Sequence, residues 1–252
     1  MMDYPLIVFA ATLLVLWLSE QVGVYLRRKR QNLEETERED LGVILTAALT
    51  LLGLIIGFSF SMAVTRYDQR KNYEEAEANA IGTEYFRAGL LPAPDALRVR
   101  GLLTDYLNQR VLFYTTRSPR KLDLINASTA RLQSDLWSVI QLCAVAQPTP
   151  VMAVVVSGMN DVLNSQGYTQ AAWWNRIPTA AWALLGAIAI CSTLLLGYTS
   201  RLRDGKAKRF FILPLIVSIS FFLIADLDAP RGGFIRVSPQ NLMSLTPSFQ
   251  AP

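Results

Sequence analysis

Three carboxylates stand inside or at the end of long apolar runs, where a charge is costly and so needs a reason. Glu20 lies six residues before Leu26, the end of the run Pro5–Leu26. Asp226 and Asp228 follow the run Phe210–Ala225. Such groups suit two chemistries: a station on an ion path, or a neutralising ion pair at a membrane boundary. Glu20, about 9 Å of helix from its run's end, reads as an interfacial carboxylate paired with basic loops on that face. Asp226 and Asp228 emerge on the same face as Arg66 and Arg70, so these four read as membrane-boundary ion pairs.

Other chemistries lack their residues. There is no histidine, which removes the commonest general base and metal ligand. No phosphate-binding G-x-x-x-x-G-K-[ST] loop occurs, Gly205-Lys206-Ala207 departing at both ends, and no G-x-S-x-G or C-x-x-C. Cys143, in a polar region, and Cys191, in an apolar run, imply no disulfide framework. The chain reads as a non-enzyme without cofactor or metal. Its net charge of +4 gathers at the flanks of apolar runs, where lipid headgroups, not nucleic acid, are the expected partner.

The second apolar run carries a different pattern. Gly53-x-x-x-Gly57 lets helix backbones approach closely. Steps of about one turn then pick out Ala47, Thr50, Leu54, Phe58, Ser61, Thr65, Asp68 and Asn72. This stripe passes from small through bulky apolar to polar and charged. It is either the face of an ordinary bundle or the lining of a pore. In a pore, Leu54 and Phe58 would form an apolar constriction that gates by dewetting. No proline interrupts 53–82, and no glycine falls between Gly57 and Gly82, so one helix crosses from lipid to water.

The elements that must position these residues follow from composition. Hydrophobic residues make up 52% of the chain, above a typical soluble domain. They concentrate in four runs, Pro5–Leu26, Leu41–Val64, Pro178–Tyr198 and Phe210–Ala225. A span needs about 20 residues; the fourth run is short and must borrow Leu227. Trp173 and Trp174 read as an interfacial belt. The expected fold is an all-α membrane protein, with four transmembrane helices and a helical extramembrane domain inserted between spans 2 and 3. Its domains are 1–65, 66–177, 178–228 and an extended tail, 229–252. Prolines divide the inserted segment into helices near 66–90, 95–116, 121–145 and 150–165. Val151–Leu163 is apolar but too short to span, and reads as a buried helix of the polar bundle.

The stretch GFSFSMAVTRYDQRK (Gly57 to Lys71) resembles the second span of bestrophin channels through Gly57, Phe58, Arg66 and Tyr67. DLDAPRGG (Asp226 to Gly233) resembles the acidic segment after their last span. The whole chain is similar to the bestrophin-like membrane family of bacteria, through EAEANAIGTEYFRAGLLP (Glu75 to Pro92) and the span order as well. The resemblance implies an ion channel, a homopentamer passing inorganic ions, in the bacterial inner (plasma) membrane. It places Thr50, Leu54 and Phe58 at the pore neck; on the pore reading the stripe continues the path through Ser61 and Thr65, and the spacing of Gly53 and Gly57 packs helices. Thr50 departs from the usual bulky apolar residue. Nothing acidic follows Asp228, so calcium activation does not carry over. A non-conducting scaffold or sensor, whose helical domain binds a partner, is the other reading. Orientation divides the two lines of reasoning. The short loops 27–40 and 201–209 hold ten basic residues against two in the termini, which puts 66–177 on the non-cytoplasmic side. The resemblance puts it in the cytosol. The charge count takes precedence.

Overall fold

The computed structural model describes residues 4–30, 35–200 and 211–250. The basic loop 201–209, with its five Lys and Arg and Gly205-Lys206-Ala207, lies outside them, as does Phe210. Among the described residues all regular structure is helical. Its α-helices are α1 (Pro5–Lys29), α2 (Glu35–Arg87), α3 (Ala93–Thr115), α4 (Pro119–Ala146), α5 (Pro150–Trp174), α6 (Thr179–Thr199), α7 (Ile212–Asp228) and α8 (Gln240–Gln250), with a 3-10 turn at Ala88–Leu90. Prolines set several starts. Pro5, Pro94, Pro119 and Pro150 occupy first-turn positions, where a missing N–H costs nothing. The Thr149 side chain caps α5, accepting from the Met152 N–H at 3.2 Å. Stretches within 5–29, 35–90 and 150–199 are long and apolar enough to cross a membrane. α7 has 17 residues and runs through Leu227 to Asp228, at the lower end of the spanning range.

The chain divides into two compact units. The first holds residues 1–66 and 176–235. Its α1 and α6 meet backbone to backbone. A Cβ at Gly23 would lie 2.1 Å from the Leu194 carbonyl oxygen, and one at Gly197 would lie 2.2 Å from that of Glu20. Only glycine fits these positions. Ser19 Oγ donates to the Ile190 carbonyl at 2.9 Å. Phe222 of α7 packs edge-on against Phe9 of α1, and Phe221 against Trp182 of α6. Glu20 departs from expectation. It is fully buried, and its carboxylate oxygens have no hydrogen-bond partner among the described residues. Beside the Gly197 contact it is enclosed by packed helices rather than presented at an interface.

The second unit holds residues 67–175 and 236–252. Ile81 of α2, Leu103 and Leu107 of α3, Leu136 and Ile140 of α4, and Met159 of α5 share one core. Val155, Met159 and Val162 are buried within α5, so the apolar stretch 151–163 is spent on this bundle. Three expectations are corrected here. α5 continues through Gly167 to Trp174, nine residues beyond 165, because Thr169, Ala172 and Trp173 are buried. Trp173 is no belt residue: 5% exposed, it meets Phe113 and Tyr114 edge-on at 4.9 and 5.4 Å. Trp174 is 74% exposed. Finally, the tail is not extended throughout, because Leu242 and Phe249 bury themselves in this core and draw Gln240–Gln250 into α8.

Candidate conduction face

α2 runs unbroken for 53 residues and presents two different sides. At about 100° per residue, one side gathers Ala47, Thr50, Leu54, Phe58, Ser61, Thr65, Asp68, Asn72, Ala76, Asn79 and Thr83. All of them are exposed. The opposite side gathers Leu52, Ser59, Ala63, Arg70, Glu74, Glu77, Ile81 and Glu84, all buried. Leu54 is 53% and Phe58 63% exposed, whereas Leu52 is 3% exposed. The chain thus leaves two bulky apolar side chains uncovered one turn apart, on a helix packed from the other side.

The polar members of the exposed side are satisfied along their own helix. Thr50 Oγ1 donates to the Thr46 carbonyl and Thr65 Oγ1 to that of Ser61, each at 2.9 Å. Thr50 therefore turns its hydroxyl to the backbone and offers mainly its methyl outward. A Cβ at Gly53 or Gly57 would meet nothing within 4 Å, so neither glycine packs against another helix among the described residues.

Three buried acids on the other side of α2 clamp its polar half, and the sequence reading passed over all three. Glu74 accepts from the Leu242 N–H at 3.0 Å and from Asn241 Nδ2 at 2.7 Å, supplying α8 with a cap. Glu77 pairs with Arg110 of α3, both fully buried, and accepts from Tyr114 and Thr169 at 3.3 and 3.1 Å. Burial opposes the Arg110 cation, but Glu77 together with Tyr106 and Tyr114 outweighs it and holds the guanidinium above its ordinary pKa. Burial also pushes the Tyr106 and Tyr114 hydroxyls up. Glu84 packs against Gly158 of α5, where a Cβ would lie 2.0 Å from its Oε2. The available signal was periodicity: 74, 77 and 84 share a face with Ile81.

At the end of α7, Arg66 Nη1 lies 3.4 Å from Asp228 Oδ1. Asp228 also accepts from the Ile177 N–H at 3.1 and 3.2 Å. Asp226 accepts from the N–H groups of Phe234 and Ile235 at 2.7 and 2.8 Å. Gly233 passes so close that a Cβ would lie 2.4 Å from the Asp226 carbonyl oxygen. The two aspartates and the glycine therefore fold the chain back after α7. Arg70 is buried in the second unit. Among the described residues no group of three acids or cysteines could hold a metal ion. Both cysteines are free, Cys143 buried and Cys191 exposed.

Residues 6–242 match the family model described as a Bestrophin-like domain. Solved structures share the fold. A bacterial bestrophin homologue from Klebsiella pneumoniae, phased on zinc, is 15% identical with a TM-score of 0.61, over 98% of this chain and 99% of that one. A point variant of the Klebsiella homologue gives 15% identity and a TM-score of 0.62, over 95% and 97%. A structure described as a membrane protein gives 13% and 0.64, over 98% and 99%. No curated protein matches the chain.

Proposed function

The chain belongs to the bestrophin-like family, and from that premise we propose that it forms an oligomeric ion channel whose pore is lined by α2. The observation that carries this reading is the exposed side of α2. Leu54 and Phe58 stand about 6 Å apart along the helix axis, uncovered by their own chain. In a closed ring of copies, five by the family likeness, they would stack as two apolar collars. A narrow apolar collar excludes water and with it ions. Thr50, its hydroxyl tied back, sets a wider ring beside them. Ser61 and Thr65 carry the path onward, and the polar stripe to Thr83 continues it. Gly53 and Gly57, open on their own chain, leave room for a neighbouring copy to approach.

The remaining parts follow from that assignment. α1, the apolar half of α2, α6 and α7 are the four spans, and the second unit lies outside the bilayer. Arg66 and Asp228 neutralise each other at the boundary, where an unpaired carboxylate would be costly. The partners are further copies of the chain, permeant inorganic ions and membrane lipid. The host membrane is the bacterial inner membrane. No reaction chemistry is assigned to the chain.

The test is ion flux from liposomes carrying the parent or the Leu54→Ala/Phe58→Ala variant. Removing both collars should raise flux and leave folding nearly intact, because side chains facing a lumen lack dense packing. A silent parent together with a silent, poorly folded variant would sink the pore assignment and favour a non-conducting scaffold.

A further inference from the structure

Glu84 is fully buried in the second unit, and neither carboxylate oxygen has a hydrogen-bond partner among the described residues. Buried carboxylates almost always have such partners. Two charged groups face it. Arg87, one turn along α2, holds Nη1 4.0 Å from Oε2, too far for a hydrogen bond. Asp161 of α5 repels it. Arg100 of α3 is engaged elsewhere, donating to the Tyr85 carbonyl and lying over the Tyr85 ring. Gly158 lets α5 approach so closely that the carboxylate fills the space of a side chain. A cavity of about 240 Å³ adjoins this contact, lined by Asn79, Ala80, Thr83, Arg87, Gly158 and Asp161. Asn79 and Thr83 belong to the exposed side of α2.

We propose that Glu84 is a proton-binding site whose proton holds α2 against α5, so that its loss changes the conduction path along α2. The protonated acid is neutral and fits an enclosed site. The carboxylate, without hydrogen bonds, must draw Arg87 closer or admit water from the adjoining cavity. Either response shifts the Gly158 contact or the lining that contains Asn79 and Thr83. Burial pushes the Glu84 carboxyl up to about 8, with Arg87 opposing and Asp161 assisting. The folded acid thus keeps its proton well above the usual carboxylate range. The stability that this proton contributes is complete below pH about 4.5 and is lost as pH rises through about 8.

Only the effect on flux rests on the channel reading, so two readouts are needed. Glu84→Gln keeps the shape of the neutral acid and cannot titrate. Thermal unfolding in detergent should show parent and variant equally stable near pH about 4, the variant increasingly the more stable as pH rises from about 4.5 to about 8, and a constant gap above that. Liposome flux of the parent should change between pH about 7 and 9, while the variant keeps the parent's acid-side value throughout. A stability gap that does not vary with pH, or a variant that follows the parent's flux curve, overturns the proposal. A pH-dependent stability gap in vesicles without flux upholds the proton site and removes the channel.

Discussion

At the level of single residues, a step of two positions along α2 separates a packed side from an open one. Leu52 is enclosed and Leu54 is open. Leu52→Ala should lower stability by about 2 kcal/mol or more, since the vacated space stays lined by packed atoms. Leu54→Ala should cost far less, and thermal unfolding of the two variants in detergent checks the contrast. The Glu77–Arg110 pair makes a second case. Arg110→Met strands a buried carboxylate and should cost about 3 to 5 kcal/mol. Adding Glu77→Gln should recover part of that loss, read from the same melting curves. Spacing made Leu54 and Phe58 legible in the sequence, because bulky apolar residues amid small ones leave a periodic trace. Glu74, Glu77 and Glu84 left a trace of equal regularity. Acids on a polar helix read as solvated, however, and their partners Asn241, Arg110 and Gly158 lie far along the chain.

Among the elements, the starts of α3, α4 and α5 were legible because proline and a cap act within a few residues. α8 was not, because what holds it is remote. Its Leu242 N–H and Asn241 side chain meet Glu74, Leu245 rests over Gly82, and Phe249 stacks on Tyr85 at 3.8 Å. Glu74→Ala should leave the Leu242 N–H unsatisfied and weaken the unit by about 1 to 3 kcal/mol. Hydrogen exchange should locate the loss: amides 242–249 should exchange faster while those of α4 stay protected. Uniform acceleration across the unit would mean that Glu74 supports the bundle rather than α8. The α1–α6 contact had a local signature too, in Ser19-x-x-x-Gly23 and Thr193-x-x-x-Gly197. The same signature at Gly53 and Gly57 marks open surface here. Small-residue spacing reports a capacity for close approach and leaves the partner unnamed.

For the whole molecule, the charge of the short loops bears on which way it crosses the membrane. The ten basic residues of the two short loops, five of them at 201–209, favour a non-cytoplasmic second unit. A phosphatase that works only in the periplasm, fused near Ser118, should then be active. Activity of a cytoplasm-dependent reporter at that position would instead establish the orientation that the family likeness implies. Membrane class and the bestrophin-like resemblance were legible because hydropathy and a few motifs extend over most of the chain. The proposed closed ring would leave only an uncovered surface in one copy, so the sequence of one copy carries it indirectly.

The unbroken course of α2 also has a mechanical consequence. Its helical hydrogen bonding continues without a break past both Phe58 and Glu84. A continuous helix resists twisting about its own axis. With side chains about 6 Å from the axis, a 20° roll at one end would sweep the other end sideways by about 2 Å. A displacement of that size is comparable to the radius of a bare ion, so in the proposed pore a small twist of one shaft would be enough to open or shut an aperture.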